Sequence, residues 1–597
     1  MTYQAYPVSN FATGLYGVRE PWLSPADGFP EMNNAYLRRG VIEKRKGYTE
    51  LGQFSHEVGT AISNITQADP GVVTTSASHG LENGDTVWLY DVVGMTEVNG
   101  ETYTVANKTA TTFELSGVDT SGFTAYSSAG SVGKFTTNTI TGIGTFVQSS
   151  GVPVIVATDN KRFCQWNVTH GEFEDKATSD VFTSDNLMHF TNWKGTLYMT
   201  NNVDRVMSWD GTTFTSTVLF DIDGDSNNEV DTCLMMFPYH ERMVILRTTE
   251  SSTVYPQRAR WSRIEDFTVW DDTITDGGGY VDCPTGDWII SAGFVKDVLV
   301  VFFQNSVWLL RFTGDIDLPF RWEQIDTNKK SDSTFSTFSF QGNLVTYGSS
   351  GFVGTNGLAS FLVDQKVPDL ALEVNIDKAN LISAGKLDEN EQAWIAAPDQ
   401  LSTANDKVLV YNYDEGNWTK FDLALTCFGT GVLDATQTWD TESRTWDEIA
   451  DTWDSFTTSK GYPIFLAGDS SGIIRRLNDT TADSGSAINF DLKSARFNPY
   501  WNQGRRAKLG WVDFLISTND DTELSVDFFV DFDTDAYQTL TLAFSGNNAS
   551  EEKIWKRLDS GAIGNSHRLR LYHTQANQPV RIHAVVLNMQ PAGLISG

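Results

Sequence analysis

Residues 197–211 read LYMTNNVDRVMSWDG. A short apolar run, LYMT, ends at Asn201 and Asn202, residue types that initiate turns and tolerate left-handed backbone. A second run, RVMSW, alternates Val206, Ser208 and Trp209 as a strand would. It stops at Asp210-Gly211, a strong hairpin-turn signal. Imperfect copies of this unit occur at 162–175 (RFCQWNVTHGEFED), 408–423 (VLVYNYDEGNWTKFDL) and 465–477 (FLAGDSSGIIRRL). Paired apolar runs around polar turns recur at 298–312 (VLVVFFQNSVWLLRF) and 342–363 (GNLVTYGSSGFVGTNGLASFLV). Their irregular spacing excludes an array with a fixed period of about 40 residues. An irregular β-propeller with unequal blades fits best, and a run of separate β-sandwiches is the competing architecture.

Composition points the same way. Aromatic residues are 12% of the chain, and few windows show a 3.6-residue period, so the expected fold class is all-β. At 597 residues the chain has room for several cores. Four units are expected: an N-terminal arm and docking region at 1–56, an inserted small β-barrel at 57–136, a β-propeller at 137–483 and a C-terminal β-sandwich-like domain at 484–597. In the last, 511–517, 523–532, 567–573 and 580–588 read as strands, with Leu569 and Leu571 alternating with Arg568 and Arg570.

The net charge is −33 at pH 7, from 76 acidic and 43 basic residues. Such a balance argues against tight wrapping on nucleic acid, which needs clustered Lys and Arg, and suits a surface past which phosphate slides. Four scattered cysteines, Cys164, Cys233, Cys283 and Cys427, form no CxxC motif or disulfide framework. No secretory signal is visible at the start, and the longest apolar run, 298–303, is too short to span a bilayer. A soluble protein made in a cytoplasm is expected.

Several constellations are candidates for function. Residues 221–229, DIDGDSNNE, place Asp221, Asp223, Asp225 and Glu229 at the alternate positions of a calcium loop, although Ser226 stands where such a loop has glycine. Calcium is the one candidate cofactor, and a solvated acidic loop is the default. Arg38, Arg39, Lys44, Arg45 and Lys46 form a basic cluster that could dock an acidic partner or blunt a strand edge. Trp439, Trp446 and Trp453 recur every seven residues, each followed by Asp, in the manner of stacked turns that anchor a neighbouring subunit. Asp531, Asp533 and Asp535 continue an acidic stripe begun by Asp527. The GDSSG at 468–472 matches G-x-S-x-G, but a strand-like IIRRL follows where a nucleophile elbow needs a helix. No motif argues for an enzyme.

Two resemblances add to this reading. SHGLENGDTVWL (78–89) and VNGETYTV (98–105) resemble the small β-barrel named after the first catalytic-cysteine half-domain (FCCH) of ubiquitin-activating enzymes, a module also met in phage structural proteins. No cysteine lies between 57 and 136, so ubiquitin chemistry is not expected. The opening DGFPEMNNAYLRRGVIEKRKGYTEL (27–51), blades of the YNYDEGNWTKFD type (411–422), the TWD repeats and the ending AIGNSHRLRLYHTQANQPVRIHAVVLNMQP (562–591) are similar to tail nozzle (tail tubular B) and packaged-DNA stabilisation proteins of short-tailed bacteriophages. That resemblance implies a virion tail protein, made in the host cytoplasm and assembled as a homo-hexameric ring below portal and adaptor. Tail fibres or a distal plug would lie beyond it. It would retain the packaged genome and conduct double-stranded DNA on ejection, with Asp531, Asp533 and Asp535 facing the lumen. A glycan- or receptor-binding tail component is the alternative.

Overall fold

The computed structural model describes residues 2–58, 60–148, 151–177, 179–224, 229–433, 462–519, 521–544 and 552–595. The hairpin read from 197–211 forms: Thr196–Thr200 pairs antiparallel with Met207–Trp209. Leu197, Met199 and Trp209 are buried on one face, as period-two alternation requires. The turn is longer than two residues. The Asn201 side chain accepts from the backbone N–H groups of Val203 (3.0 Å) and Asp204 (2.8 Å), and Asn202 takes a φ of 63°. A side-chain acceptor thus does the work of a backbone turn.

Each copy of the unit lies in a four-stranded antiparallel meander, and the described residues contain seven. Blade 1 is Ile140–Val147, Pro153–Asp159, Phe163–Asn167 and Glu172–Asp175; blade 2 is His189–Trp193, Thr196–Thr200, Met207–Trp209 and Phe214–Thr215. Blade 3 is Val230–Tyr239, Arg242–Glu250, Thr253–Trp261 and Gly279–Asp282; blade 4 is Ile289–Val295, Val298–Phe303, Val307–Phe312 and Phe320–Asp326. Blade 5 is Phe338–Phe340, Asn343–Gly348, Gly351–Thr355 and Ser360–Leu362; blade 6 is Ser383–Leu387, Gln392–Ala397, Lys407–Asn412 and Asn417–Phe421. Blade 7 takes Cys427–Leu433, Tyr462–Gly468 and Ile473–Leu477 from its own stretch, and its outermost strand, Tyr48–Glu57, from the start of the chain. Radial repetition of this kind leaves only short sheet edges.

Hydrogen bonds stitch each blade to the next. Met188 N–H donates to Thr141 O (3.0 Å), the Thr200 hydroxyl to Cys233 O (2.6 Å), the Tyr239 hydroxyl to Leu310 O (3.1 Å) and the Ser291 hydroxyl to Thr334 O (2.7 Å). Ala384 N–H donates to Phe335 O (2.8 Å) and the Ser383 hydroxyl to Thr426 O (3.1 Å). The ring closes where the Thr426 hydroxyl donates to Ile140 O (2.7 Å). Glycine on the innermost strands lets blades approach. A Cβ at Gly429 would stand 2.6 Å from the Ile143 side chain, and one at Gly385 would stand 2.4 Å from Phe428.

The sandwich is built from both ends of the chain. One sheet holds Gln4–Val8, Ala35–Arg38, Val41–Lys44, Arg505–Thr518, Ile554–Asp559, Ile563–Gly564 and Val580–Leu594. The other holds Glu31–Asn33, Phe490–Lys493, Thr522–Val530, Gln538–Phe544 and His567–His573. It joins blade 6 through one parallel pairing, Lys420 with Asn33. Val512, Phe514 and Ile516 from the first sheet and Leu524, Val526, Phe528, Leu569 and Leu571 from the second share one core. Residues 1–56, set apart by sequence as an arm, divide between two bodies: their earlier strands complete the sandwich and the last closes the propeller.

The inserted module leaves the propeller at Ser55–Glu57 and returns beside it at Gly133–Phe135, which pair antiparallel. Its six short strands curl around Val73, Val87, Leu89, Phe113, Leu115 and Val132. The ladder runs from Ser131–Phe135 to Ile62–Ile65 without closing a full barrel. The fold class is thus all-β, with a propeller, an inserted small module and a sandwich.

Candidate interaction surface

The structure divides the basic cluster between interior and surface. Lys44 and Arg45 are buried, Arg38 is half-buried, and Arg39 and Lys46 are exposed. Arg45 grips Asp483 with both terminal nitrogens (2.8 and 2.5 Å) and donates from Nε to the Asn34 side chain (2.8 Å). It thereby ties the N-terminal hairpin to the passage between propeller and sandwich. Lys44 Nζ reaches His573 Nδ1 (3.1 Å) and the carbonyls of Gln575 (3.1 Å) and Gln578 (3.3 Å). Burial, with Arg45 beside it and opposed by Asp483, pushes Lys44 down to about 8. The five residues therefore do not make one exposed patch.

The acidic loop is described only in part, because Asp225 lies outside the described residues. Asp221 and Glu229 face each other across an antiparallel bridge. The Asp221 carboxylate accepts from Asp223 N–H (3.2 Å) and Gly224 N–H (2.8 Å), while Glu229 pairs with Arg205 (2.6 Å). No group of three metal-ligating side chains is gathered among the described residues. Trp439, Trp446 and Trp453 also lie outside the described residues. Asp531 is half-buried, and its carboxylate accepts from the backbone N–H groups of Asn565 and Ser566 (3.1 Å to the latter), which fixes a turn. Asp533 and Asp535 are exposed in the loop after Thr522–Val530.

Reactive side chains are turned inward. GDSSG is the turn between two strands of blade 7, where the buried Asp469 carboxylate accepts from Ser471 N–H (2.8 Å) and Ile473 N–H (3.0 Å) and pairs with Arg475 (2.8 Å). All four cysteines are buried and unbridged, and burial pushes the Cys233 and Cys427 thiols up to about 12. In blade 3 the buried Glu250 carboxylate takes Arg258 NH1 (2.8 Å) and two Arg260 nitrogens (3.0 Å each). Arg258 in turn chelates Asp282 (2.8 and 2.9 Å) and lies between the rings of Tyr255 and Tyr280, 3.7 and 3.8 Å from their centroids. These networks fix a shape, and their charges are consumed within it.

One aromatic pair faces outward. Trp22 (45% exposed) and Trp501 (48%) set their rings 6.3 Å apart on the sandwich, with Val18 and Leu23 half-exposed on the same loop as Trp22. That loop is held by Gly17 N–H to Lys366 O (3.0 Å), Leu23 N–H to Glu20 O (2.8 Å) and Arg496 N–H to Pro21 O (2.9 Å). The Arg496 guanidinium sits 4.9 Å over the ring of Phe532, which is 66% exposed. Preorganised, half-exposed tryptophans rimmed by arginine are typical anchors of protein interfaces. No repeat or charge pattern marks them in the sequence. Their signal lies in REPWLSP (19–25) and NPYWNQG (498–504), where a tryptophan stands among turn formers that cannot bury it.

The family model of the ubiquitin-activating enzyme E1 FCCH domain matches residues 68–135. Rabbit (Oryctolagus cuniculus) ubiquitin-like modifier-activating enzyme 1 is 33% identical over 119 residues, 20% of this chain and 11% of that enzyme. The chain thus spans about a tenth of the curated relative it matches. These findings overturn the resemblance to the tail nozzle and packaged-DNA stabilisation family: the sequence similarity they support is to an FCCH domain, whose family model lies within the inserted module. Among solved structures, YCF48 bound to D1 peptide has a TM-score of 0.33 at 9% identity, over 57% of this chain and 92% of that one. The computationally designed Ika8 protein has a TM-score of 0.31 at 11% identity, over 72% and 99%. No helix among the described residues is long and apolar enough to cross a membrane. An FCCH-like module set into a larger all-β chain is what the comparisons identify.

Proposed function

We propose that this chain is a non-catalytic structural protein of a virion tail, assembled from several copies into a ring around a channel for double-stranded DNA. The observation that supports assembly into several copies is the Trp22–Trp501 patch, a half-exposed aromatic pair on a preorganised loop. A second copy is the occupant proposed for the patch, because Arg19, Arg496 and Arg505 near it would meet a chain of net charge −33. The same acidic balance lets phosphate pass a wall without being held. Asp533 and Asp535 are the acids proposed to face the channel.

The test is light scattering on the purified chain at tens of micromolar, for the wild type and for a variant combining Trp22→Asp with Trp501→Asp. A multi-copy wild type and a folded, monomeric variant are expected. A monomeric wild type overturns the assembly, and an undiminished assembly of the variant overturns the patch.

A further inference from the structure

Four cationic side chains from two distant stretches meet in one concavity at the seam of propeller and sandwich. Lys44, Arg45 and Lys46 come from the N-terminal hairpin and its exit, and Arg581 from Val580–Leu594; Glu43 and Thr481 also line the space, which is about 210 Å³. Glu43 lies across the sheet from Arg581 and approaches it at 3.5 Å, and Asp483 takes Arg45. Among the described residues no carboxylate lies within ion-pair distance of Lys44 or Lys46. Asp483 and Glu43 thus each hold an arginine, while among the described residues the two lysines are held by no carboxylate, in a chain that is strongly acidic as a whole.

We propose that this concavity binds a phosphate-class dianion, as inorganic phosphate or as a phosphomonoester. Two lysines without a carboxylate partner match a dianion, and Lys46 and Arg581 offer donors from separate walls, which suits a tetrahedral acceptor better than a planar carboxylate, while the three Lys44 protons are already given to His573, Gln575 and Gln578 and that residue acts through its charge. Lys44 supports the assignment. Its neighbours are Arg45, Asp483 and His573, the last pushed to about 4 by burial and by Lys44 itself, so His573 is neutral near pH 7. A bound anion would raise Lys44 from its depressed value, so binding should weaken as pH rises past 8. The site is independent of ring assembly and of the aromatic patch.

The test is thermal unfolding of the full chain in sodium phosphate against sodium chloride of equal ionic strength at pH 7, with glycerol phosphate and malonate as further arms. The midpoint should rise with the logarithm of phosphate concentration once the site's dissociation constant is passed. Malonate should raise it less, and the rise should shrink at pH 9.5. Glycerol phosphate matching phosphate assigns the site to phosphomonoesters as well; no response to it restricts the site to the free ion. Lys46→Glu combined with Arg581→Gln should abolish the phosphate effect. If that pair does not fold, the exposed Lys46→Ala alone should reduce it. A midpoint indifferent to phosphate, or an equal rise in the variant, overturns the proposal.

Discussion

Glu250 lies between two buried arginines and accepts three of their nitrogens. Glu250→Gln leaves both guanidiniums short of countercharge in blade 3, and the expected cost is about 3–5 kcal/mol in chemical denaturation. Lys44 yields a pH prediction. Its proton is held less tightly folded, near pH 8, than unfolded, near 10.5. Between those values the unfolded chain binds more protons, so this group's contribution makes stability rise with pH. Lys44→Met should remove that rise, and denaturation midpoints from pH 8 to 10 that run parallel in both proteins would refute it. Residue roles were only partly legible. The basic run was visible at 38–46, but Lys44 and Arg45 find their partners at His573 and Asp483, hundreds of residues away, and no local pattern records that. The acids showed the same limit: Asp531 resembled Asp533 and Asp535 in sequence, yet the backbone N–H groups of Asn565 and Ser566, in a distant turn, claim it.

Hairpins were the most legible elements, because alternation and turn chemistry are local. All six quoted stretches become neighbouring strands of blades. The closing strand of blade 7 was not legible as such, since Tyr48–Glu57 pairs with residues more than 400 positions later. Two predictions belong at this scale. Gly429→Val places carbon where Ile143 already stands, 2.6 Å from the would-be Cβ. It should cost about 1–3 kcal/mol or more through overpacking, read as a lowered thermal midpoint, whereas Gly286→Ala, on the open loop before blade 4 where nothing stands within 4 Å of a Cβ, should cost less. Excising 58–132 and joining the adjacent strands with a short turn should leave a folded propeller, because the module enters and leaves at paired strands. Loss of cooperative unfolding would show instead that the module is needed. Its contact with blade 1, where His170 packs on Trp88 and Tyr90 and pairs with Glu174, is the contact such a deletion removes.

At the scale of the molecule, a closed propeller and a sandwich built from both chain ends share one core. Glu31–Asn33 sits in the sandwich yet touches blade 6, and Arg45 locks the passage between the bodies. Composition revealed the net charge and the all-β class. It could not reveal that the apolar anchors are Trp22 and Trp501, because exposure is a property of the folded surface. End-on negative-stain images of the purified full chain test the central claim most directly. The account predicts closed rings of identical copies around an open centre, while particles of single-copy size with no rings at micromolar concentration would contradict it.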